Sequence, residues 1–328
     1  MADPNTSSRW AWAYEGTNGT SSIDDATDTT YQFGEYGDNI QQWEAAAVEN
    51  SILAYHVYNS RTPTLADGRR NFPPFKHMYN PTTAQFLCDI LGSVADASPD
   101  TIAALDTGYQ YSKTIRYEEG TEGTNDRHFQ TVGNYCISAF MTHTIGEPLI
   151  VEQEFAFQSI QDAGDEPVLT TAPTQAGGEK LEIYDGLTVT YDHGGGGETI
   201  LDLINKVDYK ITQKYNPVRN TAGTTQTIYK GKYSPIDIVL YGIFPTNLSW
   251  NQYIDRTVKD YEIKHLKPNT TDYIACQMNN CRIGKPRITA SKFKGWSNIV
   301  FALQAEDVDV TFNFEGSNFS THFKGVVV

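Results

Sequence analysis

Nowhere does this chain hold an apolar run long enough to cross a bilayer as a helix. Its first ten residues, MADPNTSSRW, have no apolar core of signal-peptide length, so synthesis in the cytoplasm is expected. On that expectation the Asn-x-Ser/Thr sequences at Asn5, Asn18, Asn247, Asn269 and Asn318 are coincidental. Cysteine is scarce. The four present, Cys88, Cys136, Cys276 and Cys281, form no CxxC pair and have no histidine at zinc-finger spacing. Buried free thiols are expected, and Cys276 could meet Cys281 only if the chain turned back between them. Basic residues are also few, 25 against 40 acidic ones, for a formal charge of −15. No Lys/Arg cluster exceeds the one at residues 285–294, which argues against a sequence-specific nucleic-acid binder. Such acidity favours solubility and repels DNA.

The common catalytic and ligand signatures are missing too. Gly194 to Gly197 form a glycine run without the Gly-Lys-Ser/Thr ending of a phosphate loop, and a plain loop accounts for it. The seven histidines show no HExxH spacing, and there is no G-x-S-x-G elbow. His193 follows Asp192 directly, a spacing that sends the two side chains to opposite faces of an extended chain. Asp24, Asp25 and Asp28 resemble part of a calcium loop, but its glycine and closing glutamate are out of register. Glu118 and Glu119 lie in turn-rich sequence, where solvated charge is the ordinary reading. No catalytic residue, metal or cofactor is therefore expected.

Aromatic residues are plentiful. They make up 12% of the chain, with 20 Tyr and 15 Phe, many beside Val, Ile and Thr, a mixture suited to half-buried sheets. With 39% hydrophobic and 20% charged residues, the chain is expected to be globular and mainly β. Its 328 residues allow one large domain or two of ordinary size. Composition shifts at residues 162–179, rich in Pro, Gly, Thr and acidic residues, so a linker is expected between β domains at 1–161 and 180–328.

Residues 136–157, CISAFMTHTIGEPLIVEQEFAF, form the centre of this pattern. Alternation from Ile137 to Phe140 is interrupted at Ile145, Gly146 and Pro148, and a second run puts Leu149, Val151, Phe155 and Phe157 on one side. Two strands around a Gly/Pro bend are predicted. The phrase Ile145-Gly146-Glu147-Pro148-Leu149-Ile150 returns as Ile283-Gly284-Lys285-Pro286-Arg287-Ile288, with Phe155 matched by Phe293. These positions are the candidate assembly and core hairpin residues. Elsewhere a helix is predicted over 81–91, capped by Asn80 and ended by Gly92. Short helices are read at 41–48 and 248–258, and a helical stripe at 199–207. Residues 95–107 read as a connection with one helical turn, and 181–191 as a hairpin turning at Asp185-Gly186.

Four stretches, in order, resemble the tail tube (major tail) proteins of tailed viruses, especially those of archaeal and related viruses. Residues 10–17, WAWAYEGT, are similar to that family's opening strand, followed by a Gly/Thr loop and Gln32-Phe33-Gly34. Residues 43–63, ending YNSRTP, resemble a segment finishing in a Ser-Arg-x-Pro-like turn. Residues 80–92 resemble its single packing helix, and 133–157 its hairpin, where Gly-Glu-Pro precedes a strand ending in Phe. The second half matches loosely, with 280–312 similar in style to a repeated tube-type hairpin.

The resemblance implies a tail-tube-type β-barrel or sandwich with a flanking helix, whose copies join edge to edge into rings that stack into a hollow tube. The viral genome passes through that tube during ejection. Implied partners are further copies of the chain, in trimeric pseudo-hexameric or hexameric rings, with tape-measure, baseplate and tail-terminator proteins and a sheath. Double-stranded DNA would traverse the acidic lumen without specific binding, and no membrane is involved. The implied location is the virion tail. The inner tube of a contractile injection machine is a variant of this class. A monomeric β-sandwich binding module for carbohydrate, stacking sugars on Trp and Tyr, is the alternative from another class, and an enzyme on a β scaffold ranks third.

Overall fold

The computed structural model describes residues 9–24, 28–32, 75–79, 85–95, 100–104, 111–121, 124–147, 149–161, 174–175, 186–191, 199–200, 204–213, 215–219, 226–230, 235–245, 253–256, 258–266, 273–290, 296–306 and 309–315. The chain begins with β1 (Arg9–Tyr14), β2 (Tyr31–Gln32) and β3 (Phe75–Tyr79), then the helix α1 (Gln85–Leu91), β4 (Gly92–Ala95) and β5 (Asp100–Ala104). Next come β6 (Lys113–Thr121), β7 (Thr124–Thr144), β8 (Leu149–Ala156), β9 (Ser159–Gln161) and β10 (Thr174–Gln175). These are followed by β11 (Gly186–Tyr191), β12 (Thr199–Ile200), β13 (Ile204–Thr212), β14 (Tyr215–Arg219), β15 (Gln226–Lys230) and β16 (Pro235–Pro245). The series closes with β17 (Val258–Leu266), β18 (Tyr273–Ile283), β19 (Arg287–Ala290), β20 (Trp296–Glu306) and β21 (Val310–Glu315). The protein is mainly β, as the aromatic and β-branched composition requires.

Antiparallel pairing sets the order β3-β8-β7-β13-β16-β20-β19 in one layer. A second run reads β12-β11-β17-β18-β21-β5-β4. The two meet at a corner, where Arg282 and Ile283 at the end of β18 pair with Gln304 and Leu303 of β20. A wing leaves the first half of β7 through β6 and β1 to β2, with β9 on the other side and β10 parallel to β2. Strands β14 and β15 form a separate hairpin.

Four strand steps separate β13 from β17 along this path, yet Tyr209 of β13 lies 2.6 Å from His265 of β17. Tyr209 also faces Phe312 of β21 with ring centroids 6.2 Å apart. The sheet therefore folds over at the corner and packs face to face, as sheets do when a strand switches between layers. One core holds Val207, Tyr209, Ile238 and Leu240 from the first layer and Ile263, Cys276 and Phe312 from the second. Helix α1 packs against β7, β5 and β4, and buries Leu87, Cys88, Ile90 and Leu91. Among the described residues the pairings do not return on themselves, so the expected barrel is not closed there. Residues 138–144 of β7 pair with 206–212 of β13, and the core is common to both sides of the expected linker.

Three local expectations are corrected. The stripe at 199–207 is not helical: its described residues belong to β12 and β13. A bulge between Ile204 and Lys206 lets Ile204 and Val207 both face the core three residues apart, which imitates helical spacing. The connection at 95–107 contains β5, whose Asp100 and Ile102 point inward because β21 and β4 pair with it from both sides. Residues 181–185 lie outside the described residues, while Gly186 is a strand residue and not a turn residue. It opens β11 opposite Leu266, and a β-carbon there would come within 2.7 Å of the Leu266 side chain, so the strands need glycine to approach. The helix predicted over 81–91 stands over 85–91, and residues 253–256 make a helical turn. The reading of 41–48 falls outside the described residues.

Candidate functional site

The alternation seen at Ile137–Phe140 continues to His143, with Ile137, Ala139, Met141 and His143 buried and the residues between them half-buried. The chain then bends. The Glu147 N–H donates to the Thr144 carbonyl at 3.0 Å, and Gly146 sits at φ +81, a left-handed conformation that glycine tolerates. Strand β8 returns beside β7 with Val151, Gln153 and Phe155 turned inward and Phe157 buried just beyond its end. The predicted central hairpin is present.

Its candidate residues take different places. Ile145 is 38% exposed at the tip, Ile150 is half-buried in β8 and Phe155 is fully buried. Pro148 lies outside the described residues. The second copy of the phrase has another structure. Ile283 ends β18, the Gly284 N–H donates to the Ala302 carbonyl at 2.8 Å, and Pro286 is buried. Ile288 is in β19, which pairs with β20 and not with β18, and Phe293 lies outside the described residues. The first phrase makes a hairpin turn, while the second connects two strands that pair elsewhere.

Beneath the hairpin lies an ion pair that sequence reasoning missed. Lys113 of β6 places its Nζ 2.6 Å from Asp89 Oδ2 of α1, with both side chains almost completely buried. Tyr14 of β1 donates its hydroxyl to Asp89 Oδ1 at 2.7 Å, and Gln153 of β8 donates to Oδ2 at 3.2 Å. The ammonium lies 3.7 Å from the centre of the Trp12 ring, a cation–π contact. Burial, with Asp89 next, pushes the neighbouring Cys88 and Cys136 thiols upward, so both stay protonated. Cys276 and Cys281 are likewise free and buried in β18, with Cys281 pushed up to about 12 mainly by burial.

A second polar knot ties the N-terminal loop to β6 and β7. Glu15 accepts from the Gly19 N–H at 2.7 Å, the Gly133 N–H at 2.8 Å, Ser112 Oγ at 2.6 Å and Thr114 Oγ1 at 3.1 Å. This carboxylate ends up as a structural acceptor, with its lone pairs occupied by backbone and hydroxyl donors.

A third buried set lies between the layers. His265 Nδ1 is 2.7 Å from His143 Nδ1, and His265 Nε2 is 2.6 Å from the Tyr209 hydroxyl. Between the two Nδ1 atoms one ring donates and the other accepts, so a proton on both would set two N–H groups against each other. Burial, with His143 next, holds His265 well below its ordinary value of 6.5, and burial pushes Tyr209 well up. The unfolded chain takes up a proton on His265 near pH 6.5, while the folded chain resists it. The stability from this site is therefore present above that pH and lost as pH falls below it. Urea unfolding from pH 8 to pH 5 should show a falling midpoint, and His265→Gln should flatten the change. A wild-type midpoint unaltered below pH 6.5 relative to the variant would contradict this.

Among the described residues no group of three or more His, Cys, Asp or Glu is arranged to hold a metal ion. A groove of about 530 Å³ lies at the corner of the layers, lined by Tyr253, Ile254, Arg256, Val258, Arg282 and Ile283. Compared with known proteins, the chain matches no protein-family model and no curated protein sequence. It is similar to a chain in the sheath-tube complex of an extracellular contractile injection system (PVC) in its extended state. That likeness has 16% identity and a TM-score of 0.30, and covers 40% of this chain and 90% of the other.

Proposed function

We propose that this chain is a tail-tube-type structural protein that polymerises into stacked rings around a hollow channel. The observation that carries the reading is the unclosed sheet. Among the described residues β3 pairs with β8 alone, and its other edge, without a partner among them, is the one we assign to another chain. Such edges are hazards in a monomer and become interfaces in a ring. The four family-like stretches support the same reading.

In this role the chain is not a catalyst. Its partners are further copies of itself, tape-measure, baseplate and tail-terminator proteins, and a sheath if the tail contracts. The formal charge of −15 suits a channel through which DNA slides, because phosphates then meet few fixed cations. Negative-stain microscopy across a concentration series, with mass in solution recorded, tests the proposal. Rings or hollow tubes are expected, and their rotational symmetry separates three tandem chains from six. A strict monomer at every concentration, stabilised by a glycan, would instead identify a carbohydrate-binding module.

A further inference from the structure

Among the described residues the exposed large hydrophobics are Ile145, Ile254 and Val258. Ile254 and Val258 line the corner groove, and Ile145 crowns the central hairpin beside the exposed carboxylate of Glu147. Two arginines, Arg256 and Arg282, also line that groove, and its described lining residues include no carboxylate, the exposed Asp255 adjoining Arg256 in the same turn. One patch is thus apolar and acidic, and the other apolar and basic. We propose that the hairpin tip of one copy docks in the corner groove of the next, with Ile145 between Ile254 and Val258 and Glu147 facing Arg256 and Arg282.

Both partners are held firmly. The Ile145 N–H donates to the Asn205 carbonyl at 3.1 Å, which fixes the tip to β13. On the groove side the Arg256 N–H donates to the Tyr253 carbonyl at 3.2 Å, and Arg256 has φ +50. Two residues before Arg282, Asn280, at φ +54, donates its N–H to Asp260 at 2.8 Å beside the β17–β18 bulge that precedes the pairing of Arg282 and Ile283 with β20. Pre-formed patches of this kind lose little conformational freedom on binding.

The tip does not reach its own groove. His143, two residues before Ile145, touches His265 of β17, and Val258 of the groove stands seven residues back along that strand, about 24 Å at 3.4 Å per residue. A second copy is the occupant that the charges favour, because an acidic chain presents a basic groove to its own acidic tip. Tyr and Arg among exposed aliphatics also match the composition of interface hot spots more closely than that of an enclosed ligand pocket. Two different patches make a head-to-tail contact, which closes into a ring or grows into a filament. The inference deepens the tube reading and rests on it for the form of the assembly.

The test uses full-length Ile145→Asp and Ile254→Asp chains in sedimentation, beside the wild type. Both sites are exposed, so circular dichroism should show a native fold, and Glu147→Lys provides a second tip variant. Each variant alone should need at least about 10-fold more protein than wild type to associate, the scale of losing a hot spot. Mixed one to one, Ile145→Asp and Ile254→Asp should form heterodimers and stop, since only one intact tip and one intact groove remain. Wild type that stays monomeric, or variants that associate as well as wild type, would overturn the docking. Tubes formed by all variants would overturn it and leave the tube reading standing. Wild-type association through tip and groove without rings or tubes would support the docking and remove the tube reading.

Discussion

Phe155→Asp is expected to leave no folded protein, whereas Phe155→Leu keeps the fold. Phe155 is completely buried in β8, opposite Cys136 of β7 and in one core with Val151, Phe157 and Leu87. Truncating a buried Phe to Ala costs about 3–5 kcal/mol. Aspartate adds the desolvation of a charge, and a cation close by is already engaged: Lys113 Nζ, 5.9 Å from the Phe155 ring, is held by Asp89. A second carboxylate there would repel the first. Together these effects rival the whole stability of an ordinary domain, about 5–15 kcal/mol. Soluble yield and far-UV circular dichroism provide the measurement. A soluble Phe155→Asp protein with a native spectrum and ordinary assembly would mean that the hairpin is not central to the core. Ile150→Asp, at a half-buried site on the same strand, should do less damage.

The hairpin was legible because β7 from Ile137 to Thr144 and β8 from Ile150 to Phe155 obey a period of two. The same phase also reaches residues that composition could not single out. Extending Ile137, Ala139, Met141 by one step places His143 inside, and the phase of Tyr261 and Ile263 does the same for His265. What sequence could not supply was their meeting, since 122 residues separate the two rings. That contact exists because the sheet folds over at Arg282 and Ile283, a corner produced by long-range pairing and a bulge. Bulges also misled the reading of 199–207, where one inserted residue moved a strand pattern to helical spacing.

Lys113 and Asp89 were hidden for a different reason. Around Lys113 the consecutive residues Ser112 to Arg116 are all buried, so β6 offers no polar face from which to infer an inside and an outside. Asp89 lies beside the apolar stripe of a short helix, where a solvated charge is the natural reading. The groove was equally invisible, because its lining comes from a helical turn, the start of β17 and the end of β18. The repeated Ile-Gly-x-Pro phrase shows the opposite limit. Equal letters took unequal structures, since Gly146 turns a hairpin while Gly284 donates to a neighbouring strand.

Lys113→Met should destabilise the fold by about 3–5 kcal/mol, the usual effect of removing one member of a buried pair. Asp89 would keep its two neutral donors, Tyr14 and Gln153, but would carry its charge in the core without a cation. Asp89→Leu alone should do comparable damage, because the ammonium would lose its carboxylate while keeping the aromatic faces of Trp12 at 3.7 Å and Tyr14 at 4.9 Å from its Nζ. The double variant Lys113→Met/Asp89→Leu should recover most of the loss, since a buried pair replaced by apolar groups of similar volume is often neutral. A double-mutant cycle from urea unfolding measures the coupling, and a double variant as unstable as the sum of the singles would show that no such coupling exists. The recovered protein also separates stability from placement. Asp89 joins α1 to β1, β6 and β8, so the pair fixes how the helix sits against the hairpin. A stable double variant that still associates would show that packing alone positions the tip. One that folds but no longer associates would show that the buried charges set the orientation on which the contact between copies depends.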